Sequence, residues 1–335
     1  ELGSKHSISE ITSFVDGARS LKTLVIGEAI IDEYQYCRAI GKSSKEPMLA
    51  VKRLSTEVFA GGILAVANSV SDFSDDVGVV TILGAENSQE DFIRERLNSN
   101  VQPTFLHREN APTLVKRRLV EDYFFTKLLE VYEMEDEPLG EVDEDRLCGV
   151  LAEQIPRYDV VIVVDFGHGM LTEPTIDVVC EKAKFLAVNA QSNAGNMGYH
   201  TVSRYPRADY VCIAETEMRL EARKRTGDLQ EMMVKTAHEM GAPHMVVTRG
   251  KHGSLCYEES VGFVEPPGLA TKVIDRMGAG DAFLSVTALC VAQRAPLDIV
   301  GFIGNAVGAQ AVATVGHRSS IKRIPLIKQI ESLLK

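Results

Sequence analysis

The chain has 335 residues, 45% of them hydrophobic, enough for a large core in one big domain or two smaller ones. Charged residues make up an ordinary 25%, and the formal net charge of −11 gives an overall field that repels nucleic acid and anionic membranes. The longest apolar runs, such as Val160-Val161-Ile162-Val163-Val164, are far too short to span a bilayer.

Cys37, Cys148, Cys180, Cys212, Cys256 and Cys290 form no C-x-x-C pair, and no Cys/His cluster has zinc spacing. Free, buried thiols in a reducing cytoplasm are expected. The N-terminus is polar and has no signal-peptide core. It begins with Glu1 rather than Met, which is expected of a piece cut from a longer protein.

In chain order, residues 1–20 read as a leader, a linker or a short first helix. Thr23-Leu24-Val25-Ile26-Gly27 is a buried-strand run followed by Asp32. Residues 47–60 alternate roughly as a half-exposed strand, and Gly61-Gly62 opens an apolar helical stretch through Phe73. Residues 77–83 read as a second buried strand, and Ser88-Gln89-Glu90-Asp91 as the start of a helix to about Asn98.

Residues 112–120 and 123–134 are rich in β-formers, charged, and separated by a polar pair, which predicts a hairpin outside the main sheet. A βα rhythm then resumes. Helices are predicted at 143–155, 173–184, 215–225 and 229–240, and strands at 159–164, 185–189, 209–213 and 244–248. The last third is helical at 279–294, 296–315 and 324–334. This alternation implies an α/β domain over 21–335 with a mostly parallel sheet covered by helices on both faces. A small β-sheet lid is expected from two segments, near 34–60 and 106–134.

Asp275-Arg276-Met277-Gly278-Ala279-Gly280-Asp281 runs straight into an apolar helix. A small-residue turn there exposes backbone N–H groups at the positive end of the helix dipole, which makes an anion site. A carboxylate at the same mouth can take the proton of an attacking hydroxyl, so the segment suits phosphoryl transfer. The plain alternative is a helix start with a favourable acidic residue. No G-x-x-x-x-G-K-[ST] and no G-x-G-x-x-G is present, so P-loop and Rossmann phosphate binding have no support.

With Gly61-Gly62 and Val66-Ala67, the Asp165-Phe166-Gly167-His168-Gly169 turn, Thr248-Arg249-Gly250-Lys251-His252-Gly253 and Gly304-Asn305-Ala306, this signature resembles the ribokinase/PfkB family of carbohydrate kinases over about residues 21–320. Within it the chain is most similar to the heptose-phosphate kinase branch, found in bifunctional ADP-heptose synthesis enzymes. The resemblance implies a ribokinase-like fold, ATP and Mg²⁺ as cofactors, a sugar or sugar phosphate as acceptor, and a homodimer through the lid. It implies that Asp281 is the base, with Gly278, Ala279 and Gly280 as the anion hole and Arg276 beside it. Asp32, Gly61, Gly62, Asp165 and His168 would face the sugar. Thr248, Arg249, Gly250, Gly253 and Asn305 would surround the nucleotide, and Glu217 would act on Mg²⁺ through water.

The departures from the family pattern cluster. Ala65 replaces the sugar-binding Asn, Ala214 the Asn of N-x-x-E, Arg276 a Thr and His168 a Lys. Val188-Asn189-Ala190-Gln191 stands where heptose kinases read V-D-P-K. Two readings stay open: an active kinase with an altered acceptor, or a degenerate kinase domain that binds nucleotide or sugar phosphate without turnover. Asn189 and Gln191 are candidate amide readers on the nucleotide side, or part of a solvated loop.

Alternation puts Lys116 and Arg118 on one face of the predicted hairpin and Arg117 on the other. They belong either to a solvated edge or to a phosphate site, and Lys42 and Lys45 are candidates for the same task. His238, His244 and His317 read as surface or packing residues. Tyr34 and Tyr36 read as the lid interior or as core.

Overall fold

The computed structural model describes residues 2–335. Its strands are β1 (Lys22–Gly27), β2 (Ala29–Lys42), β3 (Leu49–Gly62), β4 (Asp76–Glu86), β5 (Val101–Pro112), β6 (Val115–Glu121), β7 (Thr126–Glu133), β8 (Val160–Asp165), β9 (Leu186–Ala190), β10 (Tyr210–Ala214), β11 (His244–Thr248), β12 (Ser254–Glu258) and β13 (Gly262–Val264). Nine of them form one sheet in the order β13-β12-β11-β10-β9-β8-β1-β4-β5. Every pairing from β11 to β5 is parallel, and β12 and β13 add an antiparallel edge.

The central strands are apolar on both faces because helices cover both. Alternate residues therefore enter different cores. Val25, Ile162 and Val164 pack under helices Ile63–Val70, Ala279–Ala292 and Leu297–Val312. Leu24, Ile26, Val161 and Val163 pack under helices Glu141–Gln154, Glu173–Lys182 and Leu229–Glu239.

The predicted β/α alternation from 141 onward is observed, with ends shifted by a few residues. Two features differ from expectation, and one open reading is decided. Residues 101–112, partly assigned to the lid, form β5 at the edge of the main sheet, where only Val101, Leu106 and Ala111 are buried and so no clean period marks it. The short antiparallel β12 and β13 were not expected. Of the readings open for the first twenty residues, the short helix is observed: Ile8–Gly17, capped by Ser7, whose Oγ accepts from Glu10 N at 3.1 Å. Its Ile11 and Val15 join the main core, each contributing about 1.5–3 kcal/mol by burial.

β3-β2-β6-β7 make the separate four-stranded lid. Its inner face carries Tyr34, Tyr36, Phe59 and Val120. Both tyrosines thus serve as lid interior. The lid also exposes Ile40, Met48, Leu49 and Leu129. All six cysteines are free, and five are buried. No helix among the described residues is long and apolar enough to cross a membrane.

Candidate active site

Helix Ala279–Ala292 begins at Gly278, which takes φ +72°, a left-handed conformation that suits glycine. Ala282 N donates to Gly278 O at 2.9 Å, so the helix starts at once. The N–H of Gly280 has no acceptor among the described residues, as the first turn of a helix requires. Asp281 sits in that turn, almost buried, with the Gln191 side-chain amide donating to its Oδ1. Burial pushes the Asp281 carboxyl up to about 6, against the pull of His317, the Gln191 amide and Lys116.

Asp32 of β2 and Asp281 line the same cleft, of about 250 Å³. Arg118 donates to Asp32 Oδ1, and His317 Nε2 lies 3.3 Å from Oδ2. Burial works to raise the Asp32 pKa, but His317 and Arg118 outweigh it and hold the carboxyl at about 2. Arg118 also reaches Glu130 at 2.6 Å. Lys116, two residues earlier on β6 and on the same face, holds its ammonium 4.7 Å from the Tyr132 ring centroid and 6.0 Å from that of Phe166. Both cations are buried because β6 is an inner strand of the lid rather than the solvated edge weighed for it. Arg117 points the other way and pairs with Glu33 at 3.0 Å.

The remaining wall comes from the carboxyl ends of β9, β10 and β11, where open α/β sheets place their ligands. Asn189 donates to Cys212 O at 2.6 Å, and its buried Oδ1 has no partner. Glu217 accepts from Ser192 N at 3.1 Å and from Ala214 N at 2.7 Å, and burial pushes it up to about 7. Thr248, Gly62, Arg276, Gly278 and Gly280 line the same cleft.

Gly61 packs against Asp32. Other candidates fall outside the cleft lining. Asp165 is buried and occupied by Gly167 N at 2.9 Å, Arg204 at 3.1 Å and the Tyr205 hydroxyl at 3.0 Å. His168 is buried edge-on to the Tyr132 ring, with Nε2 unpartnered, and burial with Lys116 and His200 pushes it down to about 3. Asn305 donates to Pro266 O at 2.9 Å and Pro267 O at 3.0 Å, fixing the segment beside Gly253. Arg249 pairs with Glu265 at 3.0 Å, and Gly250 is exposed after it. Lys42 and Lys45 lie at the far end of the β2–β3 hairpin, ten residues or more along it from Asp32, or roughly 30 Å at strand rise.

Three residues that line or brace the site were not singled out for it. His317 was read as surface or packing; a lone His in a Gly-His-Arg turn carries no local signal, and it reaches Asp32 only through the fold. Glu28 is buried and accepts from Phe166 N and His168 N, both at 3.0 Å, holding the Asp165–Gly169 turn. Lys127 binds the first Asp of the signature, Asp275, at 2.5 Å. Asp275 also takes the Tyr34 hydroxyl at 2.8 Å, Met277 N at 3.1 Å and Gly316 N at 2.9 Å, and so ties the lid to the signature turn.

No group of three metal-ligating side chains occurs among the described residues. Both Glu217 oxygens already accept backbone N–H groups. That donor set fits Mg²⁺ only through water, which suits an ion that keeps most of its hydration.

Known proteins share this fold. An Arabidopsis thaliana ribokinase complexed with ribose and ATP has the same fold, with a TM-score of 0.68 at 16% identity over 93% of this chain and 99% of its own. A Thermotoga maritima ribokinase gives a TM-score of 0.72 at 16% identity over 94% and 99%. The "Bifunctional protein HldE" of Campylobacter jejuni is 25% identical over 323 residues, 93% of this chain; the chain spans 67% of that protein's length. The model of the "pfkB family carbohydrate kinase" matches residues 20–324, which takes in both the signature turn and the lid. With that match over nearly its whole length and a ribokinase-like fold beneath it, this chain belongs to the pfkB family of carbohydrate kinases.

Proposed function

We propose that the chain transfers the γ-phosphoryl group of ATP to a hydroxyl of a sugar or sugar phosphate, heptose-like in shape, with Asp281 as the base. The acceptor hydroxyl lies between Asp281 and the γ-phosphate. Its proton passes to Asp281, its oxygen bonds to the γ-phosphorus, and the bond to the β-phosphate oxygen breaks to release ADP. The amides at 278–280 and the exposed Arg276 meet the charge that spreads over the transferring group. Asp32 and Gly62 hold acceptor hydroxyls. Asn189, Thr248 and Glu217 face the nucleotide, Glu217 through water on Mg²⁺, which supplies charge neutralisation at the phosphates.

The observation that carries this reading is the position of Asp281: in the first turn of a helix, on the wall of a cleft that a second carboxylate, Asp32, also lines. Lys116 supports a phosphate-bearing acceptor, since its ammonium lines the cleft beside the Tyr132 and Phe166 rings, with Asp32, Glu130 and Glu28 favouring its charge against burial. The ribokinase solved with ribose and ATP supports the pairing of a sugar with ATP. The exposed Ile40, Met48, Leu49 and Leu129 support a homodimer through the lid.

The second reading, a domain that binds without turnover, draws on Gln191, whose amide occupies one oxygen of Asp281. ATP consumption measured against heptose phosphates, hexose phosphates and free hexoses separates the two. Turnover on at least one acceptor is expected. Thermal stabilisation by ATP with no turnover on any acceptor would favour the second reading.

A further inference from the structure

Asp32 is a buried carboxylate with a cation on each oxygen, Arg118 on Oδ1 and His317 on Oδ2. His317 reaches it from the turn after helix Leu297–Val312. The ring occupies space that two signature glycines leave open. A Cβ at Gly278 would collide with ring atom Cε1. A Cβ at Gly61 would collide with the Asp32 carboxylate and lie 3.3 Å from ring atom Cδ2. The imidazole lines the same cleft as Asp281.

We propose that His317 is a positioning residue of the acceptor end: held by Asp32 and lodged against Gly278, its imidazolium fixes the carboxylate that receives acceptor hydroxyls and sets a positive charge beside Asp281. This rests on the kinase reading and adds a residue to it. A neutral imidazole would leave Arg118 as the one full charge on Asp32 and would remove a cation that favours the charged form of the base.

The charged surroundings come from several elements. Asp32 faces the ring from β2, Arg118 and Lys116 line the cleft from β6, and Glu130 of β7 shares Arg118. Asp281 stands on helix Ala279–Ala292, with Arg276 on the turn before it. Arg318, next in the chain, is taken by Glu57 of β3 at 2.5 Å. Burial alone would lower the His317 pKa; the hydrogen bond and charge of Asp32, with Asp281, outweigh burial and the repulsion of Arg118 and raise it. Two protonation states then bound activity: Asp281 deprotonated and His317 protonated. The pH profile is a bell, with its acid limb from Asp281 and its alkaline limb from His317.

A packing histidine would produce neither that limb nor a response to Asp32. Histidine Cε1–H resonances of the full-length chain, followed from acid to alkaline pH, read the pair without any substrate. The His317 signal is expected to titrate above the ordinary histidine value, and its midpoint to fall by about one unit or more in Asp32→Asn. Kinetics use ATP and the best acceptor from the panel above. His317→Asn is expected to lower kcat/KM at neutral pH by about 10- to 100-fold, the effect of losing one charge-assisted hydrogen bond. It should also abolish the alkaline limb and move the acid limb to higher pH. His317→Lys, which keeps the charge, should restore activity and extend it to higher pH.

A His317 signal that titrates at or below the ordinary value and ignores Asp32→Asn, with turnover present, would overturn this proposal alone. So would an alkaline limb that survives His317→Asn. No turnover on any acceptor, with the Asp32–His317 coupling intact, would remove the kinase reading and the positioning role together.

Discussion

The side-chain amide of Gln191 donates to Oδ1 of Asp281, and Oδ2 has no protein partner among the described residues. The contact joins the end of the β9 segment to the first turn of helix Ala279–Ala292, across the cleft that both line. It leaves the carboxylate one oxygen with which to take a proton.

Gln191→Leu tests this contact. A donor to a carboxylate favours its charged form, so losing the amide raises the Asp281 pKa beyond its present value of about 6. The acid limb of kcat/KM should therefore move to higher pH, with activity at neutral pH down by about 10-fold, as for a single hydrogen bond to a charged group. An unmoved acid limb would show that Gln191 does not act on Asp281.

The lid is tied to the signature turn through Lys127 and Asp275 at 2.5 Å. Lys127→Met leaves the buried Asp275 with the Tyr34 hydroxyl and two backbone N–H groups but no cation. The expected loss is about 1–2 kcal/mol, less than for a fully buried pair because the Lys127 side chain is nearly a third exposed. The acceptor KM should rise more than the ATP KM, because Asp32, Lys116 and Arg118 ride on the lid. Denaturant unfolding and the two KM values measure this; equal changes in both KM values would argue against a lid-specific role.

Much of the fold is readable in the sequence where one physical rule dominates. Strands apolar on both faces and separated by helices, as from 160 to 248, require a covered parallel sheet, and they occur where expected. The edge strand β5 was blurred because few of its side chains are buried, so its pattern merges with that of the lid strands after it. In the site, the Gly278–Asp281 turn is legible because small residues and a carboxylate stand together at the mouth of an apolar helix. Lys116 and Arg118 were legible as a shared face, but not as buried, since only strand order shows that β6 is internal. His317 was hidden altogether: its partners Asp32 and Asp281 come from distant elements, and no local pattern marks the encounter. Asp165 shows the converse, a conspicuous strand-end carboxylate that Arg204 and Tyr205 engage instead.

Glu28 predicts how stability depends on pH. Its pKa is pushed up to about 7, by burial first and then by the neighbouring Asp165, despite donors at Phe166 and His168. A carboxyl raised on folding contributes stability that is fully present below its unfolded value and lost as pH rises through the folded one. The melting temperature should therefore fall between about pH 5 and pH 8, and Glu28→Gln should flatten that slope. Asp32, held at about 2, works in the opposite sense, and its contribution is lost as pH falls from about 4 toward 2. A slope over pH 5–8 unchanged by Glu28→Gln would contradict this assignment.

The most direct test of the account is the turnover of Asp281→Asn in the ATP-consumption assay, with ATP binding followed by thermal shift. Asparagine keeps the shape and the Gln191 contact surface but cannot take a proton. kcat should fall by about 10²- to 10⁴-fold while stabilisation by ATP persists. Turnover by Asp281→Asn within a few-fold of the unaltered chain would contradict the assignment of Asp281 as base.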